Sequence, residues 1–545
     1  MTLNLNRRHA LAGGMGLTFA SMIGCSPKPA ESAALVEAGV VETPYGKLKG
    51  FEQEGVRIFR GVNYGADTSG KNRFMPPVKP EPWTGVKEAT AYGLQAPQLR
   101  IAGQLTPKWL AFCFPPADGS TTGENCLVLN VWTPGTDNKK RPVMVWFHGG
   151  GYTVGSSHGI AYDGASLART HDVVVVGVNH RLHAFGFTDI GAVLGGDYAR
   201  AGNVGIMDCV AALEWVRDSI ERFGGDPNRV MIFGESGGGA KVSNLLAMPS
   251  AKGLFHRAAI ESGSAIHVGT RERTQPLAEA MLKELGVTRD SVAKLQELTT
   301  AEIEAAAAKV GATPLAQAFG PTNDGDVIVR HPFDPDAPDT SADVPIIVGY
   351  NRTEQTLFSP ENDPVFNLDD KGLRAQFEKA MGKDTDKVLA AYKQKFPQAT
   401  PSDLFFTVAT ETRFAPSARL LAERKAAKGV APAYHYRFDW ATASEGGKWR
   451  SPHTVEIPFV FNNMTGEAIE YSFGTDPSTR ELARKVSGMW AAFAASGVPK
   501  VEGMPEWTPY NGETRPTMLF NVESKVENDP LGDLHKITPA IPSRF

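Results

Sequence analysis

Gly234-Glu235-Ser236-Gly237-Gly238 sets one serine among glycines, between an apolar run over residues 230–233 and a helical pattern that continues to Ala247. A serine on so sharp a strand-to-helix turn has strained backbone angles, and its neighbours must lack side chains for the turn to close. The turn lifts the hydroxyl above a sheet edge, where a carbonyl can reach it. The helix behind brings its N-terminal amides and the positive end of its dipole toward a developing oxyanion. A serine so placed is equipped for nucleophilic acyl transfer. Glycine-flanked serines also occur in plain flexible loops; the strand before and the helix after set this one apart.

A second glycine element, His148-Gly149-Gly150-Gly151-Tyr152, ends an apolar run over residues 143–147. Backbone amides unshielded by side chains are what an oxyanion hole requires. Such glycines also cradle phosphates, but no Lys-Ser or Lys-Thr follows them, which disfavours a nucleotide site. The zinc-protease spacing H-E-x-x-H is absent as well, and the chemistry implied needs neither metal nor organic cofactor.

Both elements need a sheet to hold them. Residues 173–179 form an almost continuous β-branched run, as expected of a strand buried on both faces. Ile206, Val210, Leu213, Val216, Ile220 and Phe223 recur at steps of three or four, which predicts an amphipathic helix, and Gly224-Gly225-Asp226-Pro227 stops it. Strand–helix–strand repetition with short connections predicts an α/β fold around a mostly parallel central sheet. Helical patterns over 275–310 and 365–430 read as cap-like insertions over that sheet. The 545 residues are 42% hydrophobic and 21% charged, a globular balance that excludes a disordered or fibrous chain. A formal charge of −4, evenly spread, argues against nucleic acid as a partner.

The N-terminus reads as an address. Arg7 and Arg8 precede an apolar run from Leu11 to Gly24 that contains no acidic residue. That run is too short to span a bilayer but suits a signal-peptide core, and the arginine pair resembles a twin-arginine export signal. Met22-Ile23-Gly24-Cys25 resembles the box at which bacterial lipoproteins are cleaved and lipidated, so membrane attachment through Cys25 is one expectation and a free periplasmic enzyme the other. The organisation expected is an export signal over 1–24, a flexible tether over 25–38 and a single domain over 39–545. In an oxidising compartment, Cys113 and Cys126, thirteen apart in a loop-rich stretch, are the plausible pair, and Cys209 is a small buried hydrophobe.

From about Val41 to about Tyr510 the chain resembles the type-B carboxylesterases of the α/β-hydrolase superfamily, a group that includes cholinesterases and bacterial p-nitrobenzyl esterases. The resemblance rests on Glu124–Asn130, Asn179-His180-Arg181-Leu182 with Gly186-Phe187, Gly202-Asn203-Val204-Gly205, residues 223–227, residues 234–238 and Trp507-Thr508-Pro509-Tyr510. It implies an α/β-hydrolase fold and a serine esterase acting on small-molecule carboxylic esters. Its acid loop matches Tyr350-Asn351-Arg352-Thr353-Glu354-Gln355, which makes Glu354 the acid although Thr353 and Gln355 replace the usual neighbours. Its histidine matches His453, ahead of Glu456-Ile457-Pro458-Phe459. His453 would then take the Ser236 proton, Glu354 would orient the ring, and the amides of Gly150, Gly151 and Gly237 would receive the oxyanion.

Glu235, Ser262 and Glu456 match residues that surround the triad, and Phe358 matches a position lining the acyl pocket, where a plain core role is the alternative. Arg73 with Glu124, and Arg181 with Asp208, correspond to buried ion pairs. Asn125 replaces the usual Asp, and Ala96-Pro97-Gln98 lacks the cysteine that would pair with Cys126. Lactone, carbamate or amide cleavage would use the same machinery, and a non-catalytic binding or adhesion module is the other use of the fold. A histidine of unperturbed pKa about 6.5 predicts that acylation falls on acidification through that region, with Glu354 free to shift the midpoint.

Overall fold

The computed structural model describes residues 36–98, 108–113 and 121–540. The export signal over 1–24, Cys25 and the tether as far as residue 35 lie outside the described residues. The first strand begins at Val36, inside the stretch read as tether.

Among the described residues, thirteen strands join one sheet. They are β1 (Val36–Thr43), β2 (Gly46–Gln53), β3 (Val56–Asn63), β4 (Val86–Glu88), β5 (Val128–Thr133), β6 (Arg141–Phe147) and β7 (Val174–Val178), then β8 (Gly225–Glu235), β9 (Arg257–Glu261), β10 (Ile346–Asn351), β11 (Ala433–Phe438), β12 (Pro516–Phe520) and β13 (Lys525–Asn528). Their spatial order is β1-β2-β3-β5-β7-β6-β8-β9-β10-β11-β12-β13, with β4 beside β2. From β7 to β12 every neighbour is parallel. The β1-β2-β3-β5-β7 run is antiparallel, as is β13 on β12.

The sheet is thus an α/β core with antiparallel margins, as in the α/β-hydrolase fold. The hairpin between β2 and β3 turns on Glu54 and Gly55, both at positive φ, as a two-residue hairpin requires. Alternation along β6 shows where the cores lie. Val143, Val145 and Phe147 face one cluster with helices α1 (Val204–Ser219) and α2 (Gly237–Ala247). Met144 and Trp146 face the other, with the long C-terminal helix, Pro477–Ser496. Every residue of β7 is buried, as its β-branched run predicts.

The insertions carry small cores of their own. Helices α3 (Arg271–Leu285) and α4 (Thr300–Gly311) pack Leu277, Met281, Leu285, Ile303 and Val310 together. Helices α5 (Asp370–Met381), α6 (Thr385–Lys395) and α7 (Pro401–Arg413) do the same with Leu373, Phe377, Val388, Tyr392 and Leu404. Capping boxes at Thr299 with Glu302 and Thr400 with Asp403 start α4 and α7.

The expected Cys113–Cys126 bond does not form; Cys113, Cys126 and Cys209 are free thiols. Cys126 packs in the α1 side of the core and Cys113 in the opposite one, so the sheet stands between them. Among the described residues no helix is long and apolar enough to cross a membrane.

Candidate active site

β8 ends at Glu235 and α2 starts at Gly237, leaving Ser236 alone on the turn at φ 56°, ψ −121°. That is left-handed backbone on a residue with a side chain, the strain expected of a nucleophile turn. β6 runs parallel to β8 with Phe147 opposite Gly234, so the loop after β6 lies beside the turn after β8. A Cβ on Gly237 would sit only 2.4 Å from the Gly151 nitrogen, so only glycine permits this approach. Gly150, at φ 85°, turns back on itself tightly enough that its own Cβ would meet the Val154 carbonyl oxygen at 2.2 Å. Among the described residues, the amides of Gly150, Gly151 and Gly237 donate to no backbone or side-chain acceptor. Three free donors therefore gather around the serine.

β10 carries the acid loop. Glu354 begins a short 3-10 turn after β10, is fully buried, and its Oε1 accepts the Asn351 amide at 2.7 Å. Its Oε2 accepts His453 Nδ1–H at 2.6 Å. The two loops are stitched along their length. Thr353 Oγ1 donates to the Ser451 carbonyl and accepts its amide, both at 2.9 Å, and Asn351 Nδ2 donates to the Pro452 carbonyl at 3.0 Å. Thr353, a departure from the family pattern, thus holds the acid loop against the histidine loop.

The other ring nitrogen, His453 Nε2, lies 3.1 Å from Glu235 Oε1. Ser236 Oγ makes no hydrogen bond among the described residues. Burial works against the His453 cation, but the carboxylates of Glu235 and Glu354 outweigh it and raise the pKa to about 9. The shift expected from Glu354 is therefore upward, and Glu235 adds to it. Burial also raises Glu235 well above the usual carboxylate range, with His453 opposing and Glu456 and Glu354 reinforcing the rise. Glu456 is pushed up to about 7 by burial and by Glu354; its Oε1 accepts Ser262 Oγ–H at 3.0 Å and its Oε2 accepts Asn351 Nδ2–H at 2.5 Å. Among the described residues no group of three or more His, Cys, Asp or Glu side chains is arranged to hold a metal ion.

Comparison with known proteins places the chain in a family. A model of the carboxylesterase family matches residues 37–533. The chain belongs to that family. It is 33% identical over 500 residues to the para-nitrobenzyl esterase of Bacillus subtilis, covering 90% of this chain and 96% of that one. Among solved structures, the carboxylesterase of Geobacillus stearothermophilus aligns at TM-score 0.77 and 34% identity, over 92% of this chain and 99% of its own. An esterase from Clostridium hathewayi, described as able to hydrolyse aliphatic aromatic polyesters, aligns at TM-score 0.80 and 32% identity over the same shares. The chain is a carboxylic ester hydrolase.

The remaining expected positions fall in two groups. Arg73 with Glu124 and Arg181 with Asp208 are buried, doubly hydrogen-bonded pairs, at 2.7–2.9 Å. Phe358 is half exposed rather than a core residue, and its ring lies 5.0 Å from that of His453. Phe414, not singled out by the sequence, stacks on Phe358 and stands 5.2 Å from His453. It sits where α7 meets the following helix, a junction no spacing rule ties to the site. Lys241 also escaped the sequence reading, which quotes Asn351 only as part of the acid loop. The signal for Lys241 was there: it is the only charged residue in α2.

Proposed function

We propose that this carboxylesterase works through Ser236, His453 and Glu354, with the amides of Gly150, Gly151 and Gly237 as the oxyanion hole. The observation that carries the reading is the meeting of three separate chain segments. The strained Ser236 turn, the glycine loop after β6 and the Glu354–His453 pair converge at one end of the parallel sheet.

His453 Nε2 takes the proton as Ser236 Oγ attacks the ester carbonyl, and its contact with Glu235 exchanges for one with the hydroxyl as substrate arrives. Glu354, through its 2.6 Å bond to Nδ1, fixes the tautomer and stabilises the cation. Each hole amide contributes about 3 kcal/mol to the tetrahedral transition state, by the measure of other such holes. The proton then passes to the leaving alcohol, and water cleaves the acyl-enzyme by the same route in reverse.

Substrates are small carboxylic esters. Phe358 and Phe414 form an aromatic wall beside His453, and relatives named for para-nitrobenzyl esters and aliphatic aromatic polyesters support aryl and benzyl esters as first probes. The arginine pair supports export to the periplasm, either as a free enzyme or, through the Cys25 box, as a membrane-anchored lipoprotein. Hydrolysis of p-nitrophenyl and benzyl esters graded in acyl length, together with mass-spectrometric mapping of a fluorophosphonate adduct, tests the reading. An adduct on Ser236 supports it; ester turnover with Ser236 unlabelled and dispensable overturns it.

A further inference from the structure

Lys241 is fully buried, and no carboxylate lies within ion-pair distance of it among the described residues. Burying a cation without a counter-ion is expensive unless its donors are fully used. Its Nζ donates to the carbonyls of His148, at 2.9 Å, and Gly151, at 3.0 Å. Those are the two ends of the His148–Gly151 loop whose middle peptides carry the Gly150 and Gly151 amides.

The helix explains why. Lys241 lies four residues after Gly237 on α2, hence on the same face one turn on. Gly237 abuts Gly151, and Lys241 reaches up the same side of the loop. Asn244, three residues further, donates to the Tyr152 hydroxyl at 2.9 Å, and the Lys241 ammonium stands 5.7 Å from the Tyr152 ring. One face of the nucleophile helix therefore grips residues 148–152 at successive points.

Resting on the proposed roles of Ser236 and the glycine amides, we infer that Lys241 is a positioning residue of the oxyanion hole. It clamps both ends of the glycine loop so that the Gly150 and Gly151 amides hold their aim while charge develops on the substrate oxygen. Burial draws its pKa down to about 7, with Cys209 and Glu235 opposing, and His148 and His180 stack beside it. Both protonation states keep at least two N–H donors, so the clamp persists through that titration.

The test compares wild type with Lys241→Met, which keeps an unbranched four-atom apolar stem but removes the donors. Expected are a loss in kcat of about 10- to 100-fold with KM within about threefold, and an equal loss in the rate at which a fluorophosphonate labels Ser236. A merely structural lysine gives another result: titration finds fewer active sites, each turning over at the wild-type rate. That result, or wild-type kcat and labelling in Lys241→Met, overturns the inference. If Lys241→Met does not fold, Lys241→Gln, which retains two N–H donors one bond shorter, is judged by the same two readouts against wild type. An intermediate loss supports the clamp, and wild-type rates overturn it. Labelling reports on the hole whatever ester is used, so wild type that is labelled but cleaves no ester sinks the substrate reading alone. Wild type that does neither sinks both.

Discussion

His453 Nε2 stands 3.1 Å from Glu235 Oε1, the carboxylate of the residue immediately before Ser236. The nitrogen that must accept the serine proton is therefore turned toward a buried carboxyl group, whose ionisation burial opposes and the His453 cation favours, while Glu354 stabilises that cation from the other side. A base has to be neutral. With the folded pKa raised to about 9, neutral His453 is lost as pH falls through that value, well above the ordinary 6.5. The kcat/KM for a reactive ester should climb between pH 6 and 9, with its midpoint well above 6.5. Glu235→Gln removes one of the two acidic groups that raise it and should move the midpoint down by about one unit or more. A wild-type midpoint at or below 6.5, or the same midpoint in both proteins, contradicts the arrangement.

Ser236 separates catalysis from backbone strain. Ser236→Ala should fold as wild type does and lose about six orders of magnitude in turnover, as nucleophile deletions do in other triad enzymes; a rate within tenfold of wild type would falsify its role. At φ 56° and ψ −121° a Cβ is strained by about 1–3 kcal/mol, and alanine keeps that Cβ. Glycine does not. Ser236→Gly should be as inactive as Ser236→Ala yet unfold at a higher temperature, because relief of strain exceeds the entropy glycine adds to the unfolded chain. Calorimetry on the two variants checks this, and equal or reversed melting temperatures mean the turn stores no strain.

Away from the chemistry, Arg181 and Asp208 meet through two hydrogen bonds with both side chains buried. Asp208→Asn leaves a guanidinium desolvated and unpaired, which should cost about 3–5 kcal/mol. The denaturant midpoint should fall accordingly, while turnover per folded molecule stays near wild type. A midpoint unchanged from wild type would mean that Arg181 finds water or another acceptor.

Parts of this site were legible because they are local. The Ser236 turn is announced by its own glycines, and the strand before it by the apolar run over residues 230–233. Glu354 and His453 lie 99 residues apart in the chain, and only the resemblance to a family connected them. The antiparallel margin of β1, β2, β3 and β5 was missed because it lacks the strand–helix rhythm of the parallel core. The Cys113–Cys126 pairing failed because nearness in sequence says nothing about which side of a sheet each thiol faces. Glu235's hold on His453 was hidden too: both residues were named, but the distance between them is a product of packing.

Location rests on residues outside the described fold, and on chemistry that can be tested separately from catalysis. A twin-arginine pathway reads the guanidinium pair itself, so replacing Arg7 and Arg8 by lysine keeps the charge and removes the signal. The full-length precursor should then accumulate in the cytoplasm, already folded and active. Such a route carries folded cargo, which fits a chain whose Cys113, Cys126 and Cys209 are free thiols and which needs no oxidative step. If Cys25 receives lipid, wild type should incorporate labelled palmitate and sediment with membranes, whereas Cys25→Ala should remain uncleaved by the lipoprotein peptidase. One acyl chain anchors only marginally, so stable attachment implies several chains on that cysteine. Fractionation decides among the outcomes. Enzyme released with the periplasm and free of palmitate leaves export standing without the anchor, and enzyme found wholly in the cytoplasm with residues 1–24 attached removes both.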